Sequence, residues 1–165
     1  MDHKGNGGAR YNVLDHDGHK FSIAHKAVNY AMHISPNDKT NEAKMIRIFD
    51  EFSAAFEELE MELRRDLDIS PEILEMAWEE TLEDESHELT APSLVDLVHS
   101  HAGSPIEIYK TWRLMRMNMA HVLFKELKED GKVVAFKAKT KKAVAAAKDV
   151  FCKNPENSKD DFCWV

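Results

Sequence analysis

The turn Asp15-His16-Asp17-Gly18-His19 sets two imidazoles and two carboxylates within five residues. Zinc sites and general acid–base pairs are built from these side chains. His99 and His101 alternate at the end of a predicted helix, Cys152 and Cys163 lie in the last fourteen residues, and Glu83 and Asp84 stand about one helical turn before His87. None of these groups has the close, paired spacing that marks a structural zinc site, and a di-metal helical bundle wants Glu-x-x-His from two helices. The histidines therefore read as scattered surface and cap residues, and no metal or cofactor is expected. The segment "GNGGAR" follows no strand, so it does not read as a phosphate loop, and no Gly-x-Ser-x-Gly elbow occurs. No catalytic residue is nominated, and the chain reads as non-enzymatic. The two cysteines are too few for a disulfide framework and read as free thiols, with a single tail-closing bridge as the alternative.

The stronger chemical signal is charge. The chain has 165 residues, 22 Lys or Arg, 30 Asp or Glu, and a formal net charge of −8. Between Glu42 and Glu88 there are seventeen acids against four basic residues, while between Tyr109 and Lys153 there are twelve Lys or Arg against four acids. Blocks of this kind select partners and speed encounters without dictating a fold. In the basic half, Arg113, Arg116, Lys132, Lys137, Lys139, Lys141, Lys142 and Lys148 are the expected contacts to nucleic-acid phosphates. Lysines position a nucleic acid, whereas Arg, Asn and Gln read bases, so contact of low sequence specificity is expected. In the acidic half, Glu57, Glu58, Glu60 and Glu62 are the expected contacts to a basic partner, including a second copy of the chain. The plain alternative is that the two halves neutralise each other or form two solvated faces.

These residues must be carried by local elements. Residues 1–8 read as a disordered tail. "RYNVLDHDGHKFSI" reads as a hairpin about Asp17-Gly18, and Ser22 as the cap of a short helix from Ala24 to His33. From Asn41 to Leu67, Met45, Phe49, Phe52, Phe56, Leu59 and Leu63 recur at steps of four and three, which predicts one helix with an apolar stripe for the core or a subunit seam. Ser70-Pro71-Glu72 and Thr90 with Pro92 start two further helices, the second stopped by Gly103. Ser104-Pro105-Ile106-Glu107 has capping-box spacing, and without glycine or proline until Gly131 it predicts one helix of roughly 26 residues. Val133 to Ala138 reads as a strand adding to the N-terminal hairpin, and "TKKAVAAAKDVF" as a final helix. Residues 154–165 form a tail whose Phe162 and Trp164 read as exposed and able to dock on a partner.

The order from Thr90 to Lys142 has a precedent. A helix around Leu94, a second from Ser104, then "HVLFKELKEDGKVVAF" with its acidic-glycine turn and strand, resembles a winged helix-turn-helix module. That resemblance implies nucleic-acid binding, with Lys132 and Lys137 on the wing. Two features depart from the pattern: no turn residue breaks the chain between Trp112 and Asn118, and no further strand returns after Ala138.

The expected protein is mainly α, one helical domain over residues 9–153, with a small antiparallel sheet made of the N-terminal hairpin and a strand near 133–138. A winged-helix arrangement of 90–142 is the alternative. The expected function is self-association and nucleic-acid contact inside the cell, in cytoplasm or nucleus, with no membrane span and no small-molecule substrate. The alternative is a protein-interaction or assembly module without nucleic acid.

Overall fold

The computed structural model describes residues 10–15, 17–83 and 88–164. Strands β1 (Arg10–Leu14) and β2 (Lys20–Ala24) pair antiparallel, Tyr11 opposite Ile23 and Val13 opposite Phe21, as the alternation about Gly18 predicts. The helix expected from Ala24 to His33 is one 3₁₀ turn, His25–Ala27, followed by extended chain. Long-range contacts override local preference here. The Tyr30 ring lies 5.0 Å from Tyr109 and 4.8 Å from Trp112, and this segment lines the wall of the following helices.

Helix α1 (Pro36–Lys39) precedes α2 (Glu42–Glu57) and α3 (Glu60–Asp66). The single helix predicted over 41–67 breaks at Glu58 and Leu59, where Glu62 accepts the Leu59 N–H at 2.7 Å and starts a new first turn. The break rotates the stripe. Met45, Ile48, Phe52 and Ala55 face inward, Phe49 is half exposed, and Phe56 and Leu59 point outward with Ile46.

Helices α4 (Pro71–Glu83), α5 (Ala91–His99) and α6 (Pro105–Leu114) follow their caps closely. Thr90 and Ser104 accept the N–H groups of Ser93 and Glu107, and proline occupies the first turn of each helix. The turn between α5 and α6 carries Ser100 in the left-handed region and Gly103, where a Cβ would meet Val95 Cγ1 at 2.9 Å. Only glycine lets the two helices close to this separation.

The predicted 26-residue helix does not form. It breaks at Met115–Met117 into α6 and α7 (Asn118–Leu123), then becomes strand β3 (Phe124–Glu129), paired antiparallel with β4 (Lys132–Ala138). The reasons are not local. Met117 supplies no side-chain cap, and the Glu60 carboxylate takes the N–H groups of Asn118 and Met119 from another element. Asp130 and Gly131 both have positive φ and join β3 to β4 in a two-residue turn between Glu129 and Lys132, so β4 pairs with the strand before it. The three-stranded sheet expected to include the N-terminal hairpin is thus two separate two-stranded sheets.

Leu89 exchanges both backbone hydrogen bonds with Phe136 at 2.8 Å, tying the start of α5 to the edge of β4. The core gathers Leu63, Leu74, Leu94, Leu114, Leu123 and Phe136, all fully buried. Helix α8 (Lys141–Lys153) closes the fold, capped by Thr140. Its end is bridged to the C-terminal turn Asp161–Cys163 by a Cys152–Cys163 disulfide, which corrects the free-thiol reading. The tail folds back: Phe162 is 0% exposed against Phe151, while Trp164 remains 79% exposed. Among the described residues no helix is long and apolar enough to cross a membrane.

Candidate nucleic-acid interface

Strands β3 and β4 form a two-stranded wing, and its lysines differ sharply in what they touch. Lys125 stands directly opposite Lys137 across the two strands, and neither has an ion pair among the described residues. Like charges in facing positions destabilise a sheet. Lys141 and Lys142, in the first turn of α8, are exposed and likewise have no acidic partner among the described residues. Lysine at a helix N-terminus opposes the helix dipole. Lys125, Lys141 and Lys142 are exposed and Lys137 is half-buried, and none of the four has a neutralising carboxylate among the described residues.

Each of the other predicted basic residues makes a contact within the chain. Arg113 donates to the Ala55 carbonyl and lies over the Phe56 ring at 5.8 Å, so it braces α6 against α2 rather than facing solvent. Lys139 donates to the His121 carbonyl, and Lys148 pairs with Glu75 at 2.8 Å and lies over Phe162. Arg116 pairs with Glu126 at 3.0 Å and stacks over Trp112 at 4.5 Å, leaving its outer side in solvent. Lys132 donates to His25 Nε2 at 3.1 Å, a neutral acceptor that leaves the ammonium charge in place.

In a helix-turn-helix the second helix normally enters the DNA groove. Here that helix is α6, and every one of its residues is buried or half-buried. Helix α2 lays Phe52 against Tyr109 at 4.4 Å, and Lys110 pairs with Glu58 at 2.8 Å and Asp66 at 2.9 Å. The acidic arm thus covers the helix that would otherwise read a duplex.

The acidic residues expected to bind partners divide accordingly. Glu57 is exposed, Glu58 holds Lys110, Glu62 caps α3, and Glu60 is drawn inward to cap α7. Burial holds the Glu60 carboxyl above the usual glutamate range, although Arg64 and two backbone N–H groups partly offset it. Phe162, predicted to lie exposed, is core, because the disulfide and the Arg64–Asp160 pair at 2.6 Å fasten the tail to the body.

Sequence reading missed Lys26, Asn29, Trp112, Lys125 and Lys128 as members of the basic surface. For Lys125 and Lys128 a signal exists: "FKELKEDGKVVAFK" alternates on both sides of Asp-Gly, which marks a hairpin. Lys26 and Asn29 have no such local signal. They join Arg116, Lys128 and Lys132 in a cleft of about 400 Å³ between the 26–29 segment and the wing turn.

Helices α4 to α7, a one-residue strand at Leu89 and a two-stranded wing define a winged helix domain. Residues 61–143, half of the chain, match the family described as Ribonuclease II, winged helix domain. The chain belongs to that family. No curated protein and no solved structure matches it.

Proposed function

We propose that this protein is a non-enzymatic nucleic-acid-binding module that contacts RNA through the wing and the start of α8, with low sequence specificity. The observation that carries this reading is the Lys125–Lys137 facing pair, an arrangement that weakens the sheet and gains a physical reason once a phosphate lies between the amines. RNA is favoured over DNA in this reading by the family's description, which names a ribonuclease.

Fluorescence anisotropy with labelled RNA and DNA at two salt concentrations tests the reading. If about four amines each neutralise a phosphate, log affinity falls against log salt with a slope near −2.8 on single strands and near −3.6 on duplex DNA. Lys125→Ala with Lys137→Ala lowers affinity and flattens the slope by about 1.4 on single strands. Absence of binding at low salt for both nucleic acids removes the reading.

A second reading, self-association through the acidic arm, has its own observation. Ile46 and Phe56 on α2, Leu59 at the break and Met61 on α3 are each more than half exposed beside the carboxylates. The carboxylates around this apolar patch, Glu57 among them, fit the basic wing of a neighbouring copy in a head-to-tail contact.

A further inference from the structure

The cleft at the wing turn is concave and gathers cations from three separate parts of the chain. Lys26 comes from the 3₁₀ turn, Arg116 from the turn after α6, and Lys128 and Lys132 from the two wing strands. Asp130 is its one acidic wall residue. Glu126, which pairs with both Arg116 and Lys128 at 3.0 Å, lies outside the lining. With these two carboxylates set against four cations, the neighbourhood keeps a positive balance. Concave, low-dielectric walls of one sign focus the field and concentrate anions.

Two features make the cleft more specific than a charged surface. The Arg116 guanidinium lies over Trp112 at 4.5 Å and its Nε pairs with Glu126 at 3.0 Å, so its place is set before any ligand arrives and its exposed side offers a stacking platform for a base. Asn29, exposed at the rim, adds an amide that both donates to and accepts from base edges. A volume of about 400 Å³ holds a nucleotide and not a duplex. The helix that would enter a duplex groove is meanwhile covered by α2.

We propose that this cleft is an anchoring subsite for single-stranded nucleic acid, in which Lys26, Lys128 and Lys132 hold one phosphodiester and the adjoining base stacks on Arg116. It rests on the nucleic-acid reading above and adds to it a place and a strand preference. The wing lysines and the start of α8 then track the backbone on either side, while the cleft decides that the strand is single.

The test uses the full chain with a labelled oligouridylate and a labelled RNA hairpin stem in anisotropy titrations at low salt. The expected result is tighter binding of the single strand, weakened about tenfold by Arg116→Ala, the loss typical of one base-stacking contact. Lys128→Ala with Lys132→Ala weakens it comparably, and thermal melts of each variant establish that the fold is kept. If the single strand binds and the cleft variants bind as well as the unaltered protein while Lys141→Ala with Lys142→Ala does not, the cleft assignment falls and the broader reading stands. Equal or tighter binding of the stem also overturns the cleft assignment. If neither RNA binds, both readings fall.

Discussion

Glu60 is a carboxylate placed where ionisation is disfavoured. One of its oxygens, Oε1, is buried without a hydrogen-bond partner, while the group caps α7 through the N–H groups of Asn118 and Met119. Burial raises its proton affinity in the folded state above that of the unfolded chain. As pH rises past the ordinary glutamate value, the unfolded chain loses this proton first, so the group subtracts stability at neutral pH and not in acid. Asp160 behaves oppositely. Burial works against its charge, but the paired Arg64 and the Phe162 N–H outweigh it and hold its carboxyl low, so its contribution is present at neutral pH and lost in acid. Glu60→Gln keeps an oxygen to accept the two N–H groups and removes the charge. The expected outcome is a higher Tm near pH 7 and an unchanged one near pH 4. Thermal melts at both pH values check it, and an equal shift at both would count against a buried charge as the cause.

At the scale of elements, the C-terminal closure joins two pieces that are individually weak. Helix α8 buries only Val144, and the following segment is a succession of turns ending in the 3₁₀ turn Asp161–Cys163. The Cys152–Cys163 bridge, with eleven residues of separation, joins them and seats Phe162 in the core. In a chain-entropy treatment a loop of this length stabilises by about 3 kcal/mol. Cys163→Ser is therefore expected to lower the unfolding free energy by about that amount under oxidising conditions, read from urea titrations. Addition of reductant should bring the unaltered protein close to the variant. A variant as stable as the parent would show that Phe162 and the Arg64–Asp160 pair hold the segment unaided.

Over the whole molecule, the division of charge resolves into a folded relation. Part of the acidic half is spent on the basic half inside one chain, as Lys110 with Glu58 and Asp66, Lys148 with Glu75, and Arg64 with Asp160. The wing and the outer side of α2 remain open. If the acidic arm of one copy meets the wing of another, light scattering at low salt gives a mass above the monomer that falls as salt screens the contact. A monomer at every ionic strength would sink this association. Excess RNA should also reduce the mass, because RNA and a second copy would compete for the same lysines.

By itself the sequence determined the elements whose signals are short in range: the hairpin about Gly18, the caps at Thr90 and Ser104, and the charge blocks. Each rests on a side chain acting within a few residues of itself. Tertiary contacts decided the rest. The stretch from Ile106 to Leu127 has helix-forming composition throughout, yet it breaks at Met115–Met117 because Glu60 caps α7 and becomes β3 because the Asp130-Gly131 turn and Phe136 give it a partner strand. Likewise the apolar stripe of α2 is legible as periodicity, but whether Phe52 or Phe56 turns inward depends on where Tyr109 stands. Which lysines remain open depended on which carboxylates the folded chain brought to them, a pairing over fifty or more residues that local patterns do not encode.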